Sequence, residues 1–319
     1  MVGWLYPCGA DCDIAVVVFD KDGTLLDFNA TWLPAFREAA ERVALEAGEK
    51  DLAPALLKAG GWLEEAEGPR ITPDGLFHHA TNLEIAQAWI DTQPIVANHF
   101  ANDVTALMTL LESTLKECTV RDAAPLGPAE DVLRELRAAG LHLAVVTNDS
   151  EAIARAQLAR LGWTDYFGSI IGFDSGFGGK PGGGGIRAAI EAAGLKPQQA
   201  IMVGDSESDL VAGQVAGCAF TVAIHPDAKP LPIGLATAAC RMPSIAGLPE
   251  ALATAGHRAL RASRRAPDEV AQTPWPSEAV ELPTPAECMQ AQMEAKAAVA
   301  AAAAVDKAVV ALVDGMREP

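Results

Sequence analysis

The stretch VVVFDKDGTLLD, residues 16–27, decides the fold. Apolar residues run without interruption into Asp20, Lys21 and Asp22, with Gly23 and Thr24 behind them. A short apolar run without alternation reads as a strand covered on both faces, as in a parallel sheet. Two carboxylates this close repel each other, and the end of a buried strand strips them of water. Something must compensate them, and a divalent cation is the natural candidate.

Working outward, the same pattern returns after a long interruption. LHLAVVTND (141–149), SIIGF (169–173), AIMVGD (200–205) and AFTVAI (219–224) read as further strands. PAEDVLRELRAAG, EAIARAQLARLGW, GGIRAAIEAAG and DLVAGQVAGC, which lie between or before them, read as helices. Strand and helix in alternation imply an α/β fold with a doubly wound parallel sheet. In such sheets ligands bind at the carboxyl ends of the strands. Three polar clusters fall at those ends: Asp20-Lys21-Asp22, Thr147-Asn148-Asp149 and Gly204-Asp205-Ser206. The coincidence counts for more than any one cluster.

Residues 28–120 have a different character. NATWLPAFREAAERVALEAG, TNLEIAQAWI and VTALMTLLESTLKEC have helical spacing, with Asn29 or Thr31 as the expected N-cap of the first. No strand is expected here, so the segment reads as an all-helical cap domain inserted into an α/β core of residues 14–27 and 121–256. Residues 257–286, with several prolines and the basic run HRALRASRRAP, read as a linker. Residues 287–318, rich in alanine, read as a C-terminal tail helix.

The chain has 319 residues and a formal charge of −18, which argues against nucleic acid or an anionic membrane as partner. A phosphorylated substrate is still open to it, provided local cations hold the phosphate. No run approaches a membrane-spanning length, and no secretory signal is visible at the start. Six scattered cysteines point to a reducing, cytoplasmic setting. Cys8 and Cys12 are close together, but they lack the second ligand pair a structural zinc site needs.

The order DKDGT (20–24), Thr147, Lys180-Pro181 and GDSESD (204–209), with a helical segment after the first, resembles the four motifs of the haloacid dehalogenase superfamily. It is most similar to the phosphoglycolate phosphatase-like branch. The resemblance covers roughly residues 14–250. It implies a Rossmannoid core and a Mg²⁺-dependent phosphatase acting on a small phosphorylated metabolite. Asp20 is then the nucleophile that forms an aspartyl-phosphate, and Asp22 the general acid/base. Asp205, the Asp20 carboxylate and the backbone carbonyl of Asp22 are the expected metal ligands, hard oxygens suited to Mg²⁺. Lys180 neutralises phosphate and Asp20, while the Thr147 hydroxyl and the Asn148 backbone N–H bind phosphate oxygens. Asp209 and Ser206 support the metal site, Gly23 permits the tight turn and Thr24 steadies it.

Each assignment has a plainer rival. Asp20 and Asp22 could form an Asx turn, Asp209 could be a helix N-terminal acid, and Lys180 a surface lysine. Four glycines, residues 182–185, follow Lys180-Pro181 and predict a loosely held lysine. In the cap, Asn29, Thr31, Trp32, Arg37, Trp62, Arg70, His78 and His79 are substrate-contact candidates, each with packing or solvated surface as its alternative. A phosphomutase of the same superfamily and a non-catalytic scaffold using the tail are the competing functions.

Overall fold

The computed structural model describes residues 14–66, 68–72, 75–226, 238 and 240–254. The Cys8–Cys12 pair, the 257–286 linker and the 287–318 tail helix lie outside the described residues. The chain divides into two compact units, one of which is Leu26–Ala124 with Ala159–Leu161.

The strands, in chain order, are β1 (Val16–Phe19), β2 (Trp62–Glu65), β3 (Gly68–Ile71), β4 (His142–Val146), β5 (Ser169–Ile171), β6 (Ala200–Gly204), β7 (Phe220–Ile224) and β8 (Cys240–Met242). Six of them form one sheet in the order β5-β4-β1-β6-β7-β8, and every neighbouring pair is parallel. All residues of β1, β6 and β7 are buried, as the unbroken apolar runs require of central strands covered on both faces. One face, with Val16, Val18, Ala144 and Met202, packs with Ile186, Ala189 and Ala212 of the helices Gly184–Ala192 and Glu207–Ala216. The helix Ala129–Ala138 packs on β4 and against the helix Leu248–Thr254. From β1 the chain builds outward through β4 and β5, then returns to add β6, β7 and β8 on the other side of β1. The strand order reverses at β1, so the crevice beside its carboxyl end is the switch point where such folds bind ligands.

The six-stranded sheet has one strand more than the sequence predicts. β8 is a three-residue edge strand whose central residue, Arg241, is exposed, so no apolar run announces it.

The inserted unit is built mainly of helices, among them Phe28–Glu46, Asn82–Thr92 and Val104–Arg121. It is not all-helical as expected: β2 and β3 form an antiparallel hairpin that pairs Trp62 with Ile71. Only those two of its residues are buried, and β3 contains Gly68 and Pro69, so neither strand shows alternation. The first helix starts earlier than predicted. Asp27, not Asn29 or Thr31, is the N-cap, and its carboxylate accepts from the Ala30 N–H at 3.0 Å. Trp89 is fully buried in this unit's core, and its Nε1 donates to the Leu56 carbonyl at 3.0 Å. Phe36 and Phe77 stack with centroids 4.0 Å apart.

Several of the substrate-contact candidates make contacts within this unit. Arg37 pairs with Glu64 at 3.5 Å and lies over the Trp62 ring, and Arg70 pairs with Glu65 at 2.7 Å. His78 stacks on Phe28, and Trp32 lies beside Phe28 and Phe36. Thr31 is buried and accepts from the Ala124 N–H at 3.3 Å, while Asn29 is exposed.

Candidate active site

The site is assembled at the carboxyl ends of β1, β4 and β6. Phe19 lies opposite Val145 on β4 and opposite Val203 on β6, so the residues that follow on each strand emerge side by side. The Asp20 N–H is donated to the Val203 carbonyl at 2.8 Å, which fixes the residue at the sheet's edge. Lys180 reaches in from the loop after β5. Its ammonium bonds the Asp20 carboxylate and donates to Asp209 Oδ1 at 2.5 Å. Asp20, Lys180, Thr147 and Asp209 are all buried.

Asp209 holds two posts at once. Its Oδ1 takes Lys180, while its Oδ2 accepts from the Ser206 N–H at 3.0 Å and the Ser206 hydroxyl at 2.6 Å. Asp209 thus stands in the first turn of the helix Glu207–Ala216 and at the same time bonds Lys180. Asp205, directly after β6, stands close enough that one carboxylate oxygen each of Asp20, Asp205 and Asp209 lies within 4.8 Å of the others. Gly23 makes this possible. Its φ is +81°, and a Cβ there would sit 2.1 Å from Asp205 Oδ2, so only glycine leaves room for that carboxylate.

Asp22 is not part of this trio of carboxylates. The ligand expected of it is its backbone carbonyl; its side chain turns to the Lys21 ammonium at 2.5 Å, which also lies 3.3 Å from Asp149 Oδ2. The sequence reading gave no role to Lys21 or Asp149. Thr24 does not steady the loop through its hydroxyl: Oγ1 is buried and makes no hydrogen bond among the described residues.

Asn148 does more than offer a backbone N–H. Its side chain accepts from the Lys180 N–H at 2.7 Å and donates to the Lys180 carbonyl at 3.0 Å. This overturns the expectation of a loosely held lysine. The glycines that prompted it serve close packing instead. A Cβ on Gly183 would lie 2.6 Å from the Ala216 backbone nitrogen, and Gly184 and Gly185 already belong to the next helix. Thr147 directly follows β4, and its Oγ1 accepts from the Asp149 N–H at 3.1 Å, leaving its own hydroxyl proton to donate elsewhere.

The electrostatics follow from this crowding. Burial, with the Asp209 and Asp22 charges, raises the Asp20 pKa to about 7 despite the opposing Lys180. Burial and the neighbouring Asp20 and Asp209 push Asp205 well above the usual carboxylate value. Burial disfavours the Lys180 ammonium, but Asp20 and Asp209 outweigh it and hold its pKa above that of an ordinary lysine. Five carboxylates (Asp20, Asp22, Asp149, Asp205, Asp209) face two ammonium groups (Lys21, Lys180), a formal excess of three negative charges. A hard dication held by oxygens of Asp20 and Asp205, with Asp209 close by, would fit both that deficit and the donor set.

A family model described as haloacid dehalogenase-like hydrolase matches residues 14–217. The chain belongs to the haloacid dehalogenase-like hydrolase family, and it is an enzyme. A phosphoglycolate phosphatase of Rhodospirillum rubrum is 31% identical to it over 209 residues, 65% of this chain and 78% of that relative. One from Neisseria meningitidis is 40% identical over 94 residues, and that match spans 30% of this chain and 40% of the relative's length. Among solved structures, a predicted phosphoglycolate phosphatase from Haemophilus somnus shares the fold, with a TM-score of 0.54 at 19% identity, covering 75% of this chain and 98% of that one. No helix among the described residues is long and apolar enough to cross a membrane.

Proposed function

We propose that the enzyme is a phosphatase that hydrolyses a small phosphomonoester, with phosphoglycolate as the leading substrate and Mg²⁺ as cofactor. One observation supports this above the rest: a buried lysine joins Asp20 to Asp209, beside Asp205, at the sheet's switch point. Phosphoryl transfer needs a nucleophile set among fixed positive charges, and this arrangement supplies one.

In this reading a carboxylate oxygen of Asp20 bonds to phosphorus as the ester P–O bond breaks. The departing oxygen takes a proton from Asp22 and leaves as the alcohol. Water then attacks the phosphorus of the aspartyl-phosphate, Asp22 takes back a proton from it, and phosphate leaves with Asp20 restored. Lys180 holds the Asp20 carboxylate and balances charge on the phosphate oxygens, while the Thr147 hydroxyl and the Asn148 N–H donate to them. Bound by Asp20, Asp205 and the Asp22 carbonyl, with Asp209 and Ser206 in support, Mg²⁺ would add positive charge at the same oxygens. The free cysteines Cys118, Cys218 and Cys240 suit a cytoplasmic enzyme.

The test is Asp20→Asn, assayed with phosphoglycolate and with an aryl phosphate in Mg²⁺. Release of phosphate should fall at least a thousandfold while the fold, read by circular dichroism, is retained. Turnover near that of the parent would remove Asp20 as nucleophile. Conversion of a hexose phosphate to its isomer, without free phosphate, would replace the phosphatase by a mutase.

A further inference from the structure

Lys21 is the most unusual residue of the site, and the mechanism above does not use it. It sits between the two acids of DKDGT, its side chain is wholly buried, and it lies between Asp22 and Asp149. Burying an ammonium is costly, and replacing a buried ion pair by apolar groups of like size is often neutral or stabilising. Position 21 lies two residues past the end of an apolar strand and is wholly buried, so an apolar side chain there would be in keeping. Stability therefore does not account for a lysine here.

The geometry accounts for it differently. Lys21 Nζ lies 2.5 Å from Asp22 Oδ2, so that oxygen is fixed, and with it the direction of Oδ1. Nζ also forms an ion pair with Asp149 Oδ2 at 3.3 Å. Asp149 is itself held: its Oδ1 accepts from the Ser150 N–H at 2.7 Å, and its own N–H is donated to Thr147 Oγ1. The chain Asp22–Lys21–Asp149–Thr147 thus ties the loop after β1 to the loop after β4.

Resting on the phosphatase reading, we propose that Lys21, anchored by Asp149, is a positioning residue that holds the Asp22 carboxylate in the orientation for proton transfer to the leaving oxygen. Lys21 touches neither substrate nor nucleophile in this role; it acts through Asp22. A group that positions the proton donor matters most when the leaving alcohol is a poor one. An alkoxide needs its proton, whereas a strongly acidic phenol departs without one.

The experiment compares Lys21→Met, which keeps length and removes the charge, with the parent on an alkyl phosphate and on 2,4-dinitrophenyl phosphate. We expect kcat on the alkyl ester to fall 10- to 100-fold with KM within threefold, and kcat on the dinitrophenyl ester to change less than threefold. Asp22→Asn should give the same pattern more strongly, and adding Lys21→Met to it should cost nothing further. Asp149→Asn, which preserves size, should show the pattern at several-fold and serves if Lys21→Met fails to fold. Equal losses on both esters, in whichever variant folds, would overturn the proposal. So would a Lys21→Met loss that persists in full in the Asp22→Asn background. Should Asp20→Asn keep parental turnover, the phosphatase reading itself falls; should that variant die and Asp22→Asn show the leaving-group pattern while Lys21→Met does not, the positioning role alone falls.

Discussion

Replacing Gly23 by alanine tests how the carboxylates are brought together. The added Cβ would stand 2.1 Å from Asp205 Oδ2, 2.6 Å from Cγ and 3.0 Å from Oδ1, whereas ordinary contact begins at 3.4 Å. The nearest oxygen must therefore retreat by about 1.3 Å, the difference between 3.4 and 2.1 Å. Mg²⁺ demands near-ideal octahedral geometry with bonds of about 2.0–2.1 Å, so a ligand displaced that far is lost to it. The expected result is a Mg²⁺ affinity roughly 10- to 100-fold weaker, read by isothermal titration calorimetry. The alanine must also adopt a φ of +81°, at a further cost of about 1–2 kcal/mol in stability. The two effects separate in an Asp205→Ala background, which removes the three atoms nearest that Cβ. There Gly23→Ala should lower the unfolding free energy by the strain alone and leave metal affinity unchanged. Mg²⁺ binding within twofold of the parent in the single variant would refute the reasoning, since Asp205 would then be either no ligand or free to move at no cost.

Two further predictions concern stability. The folded protein holds the Asp20 pKa near 7 against an ordinary 3.8, so the metal-free fold binds a proton that the unfolded chain has released. Stability from this group is complete below pH 3.8 and is lost as pH rises through 7, by at most about 4 kcal/mol at about 1.4 kcal/mol per tenfold change in proton affinity. In chelator the melting temperature should fall between pH 5 and pH 8, Mg²⁺ should raise it more at pH 8, and Asp20→Asn should flatten the profile; a parent profile that matches that of Asp20→Asn would count against the raised value. In the inserted unit, Trp89→Phe removes one of two donors to the Leu56 carbonyl, which keeps the Gly60 N–H at 3.2 Å, and opens a void, which should cost about 1–3 kcal/mol in urea unfolding.

What could be read from the sequence was whatever long apolar runs and strand-end polar clusters announce. Val16–Phe19, Ala200–Gly204 and Phe220–Ile224 are wholly buried, and an unbroken apolar run encodes little else. Asp20, Lys180, Asp205 and Asp209 were legible because each stands at a strand end or in a short motif in a fixed order. The β2–β3 hairpin was not, because just one residue of each strand is buried and neither strand alternates. Asp27 is hard to single out as the cap because Asp27, Asn29 and Thr31 are all good N-cap residues within five positions, and only the backbone shows which one the helix starts after. The partnership of Lys21 with Asp149 joins residues 128 positions apart by number and requires the β1–β4 register to be known. The glycines after Lys180 misled because composition speaks of backbone freedom, while the neighbouring helix backbone that excludes any side chain is visible only in three dimensions.

The clasp of Asn148 on the main chain of Lys180 has a bearing on how such an enzyme can evolve. Both polar groups of one amide mimic the pairing an adjacent strand would provide, and so splint the lysine to the loop that follows β4. The ammonium inherits its coordinates from β4 rather than from the thirty-odd residues of chain that separate the two. Exposed residues of that stretch, outside β5 and Asp149, can vary with little effect on where the charge stands while that amide is kept.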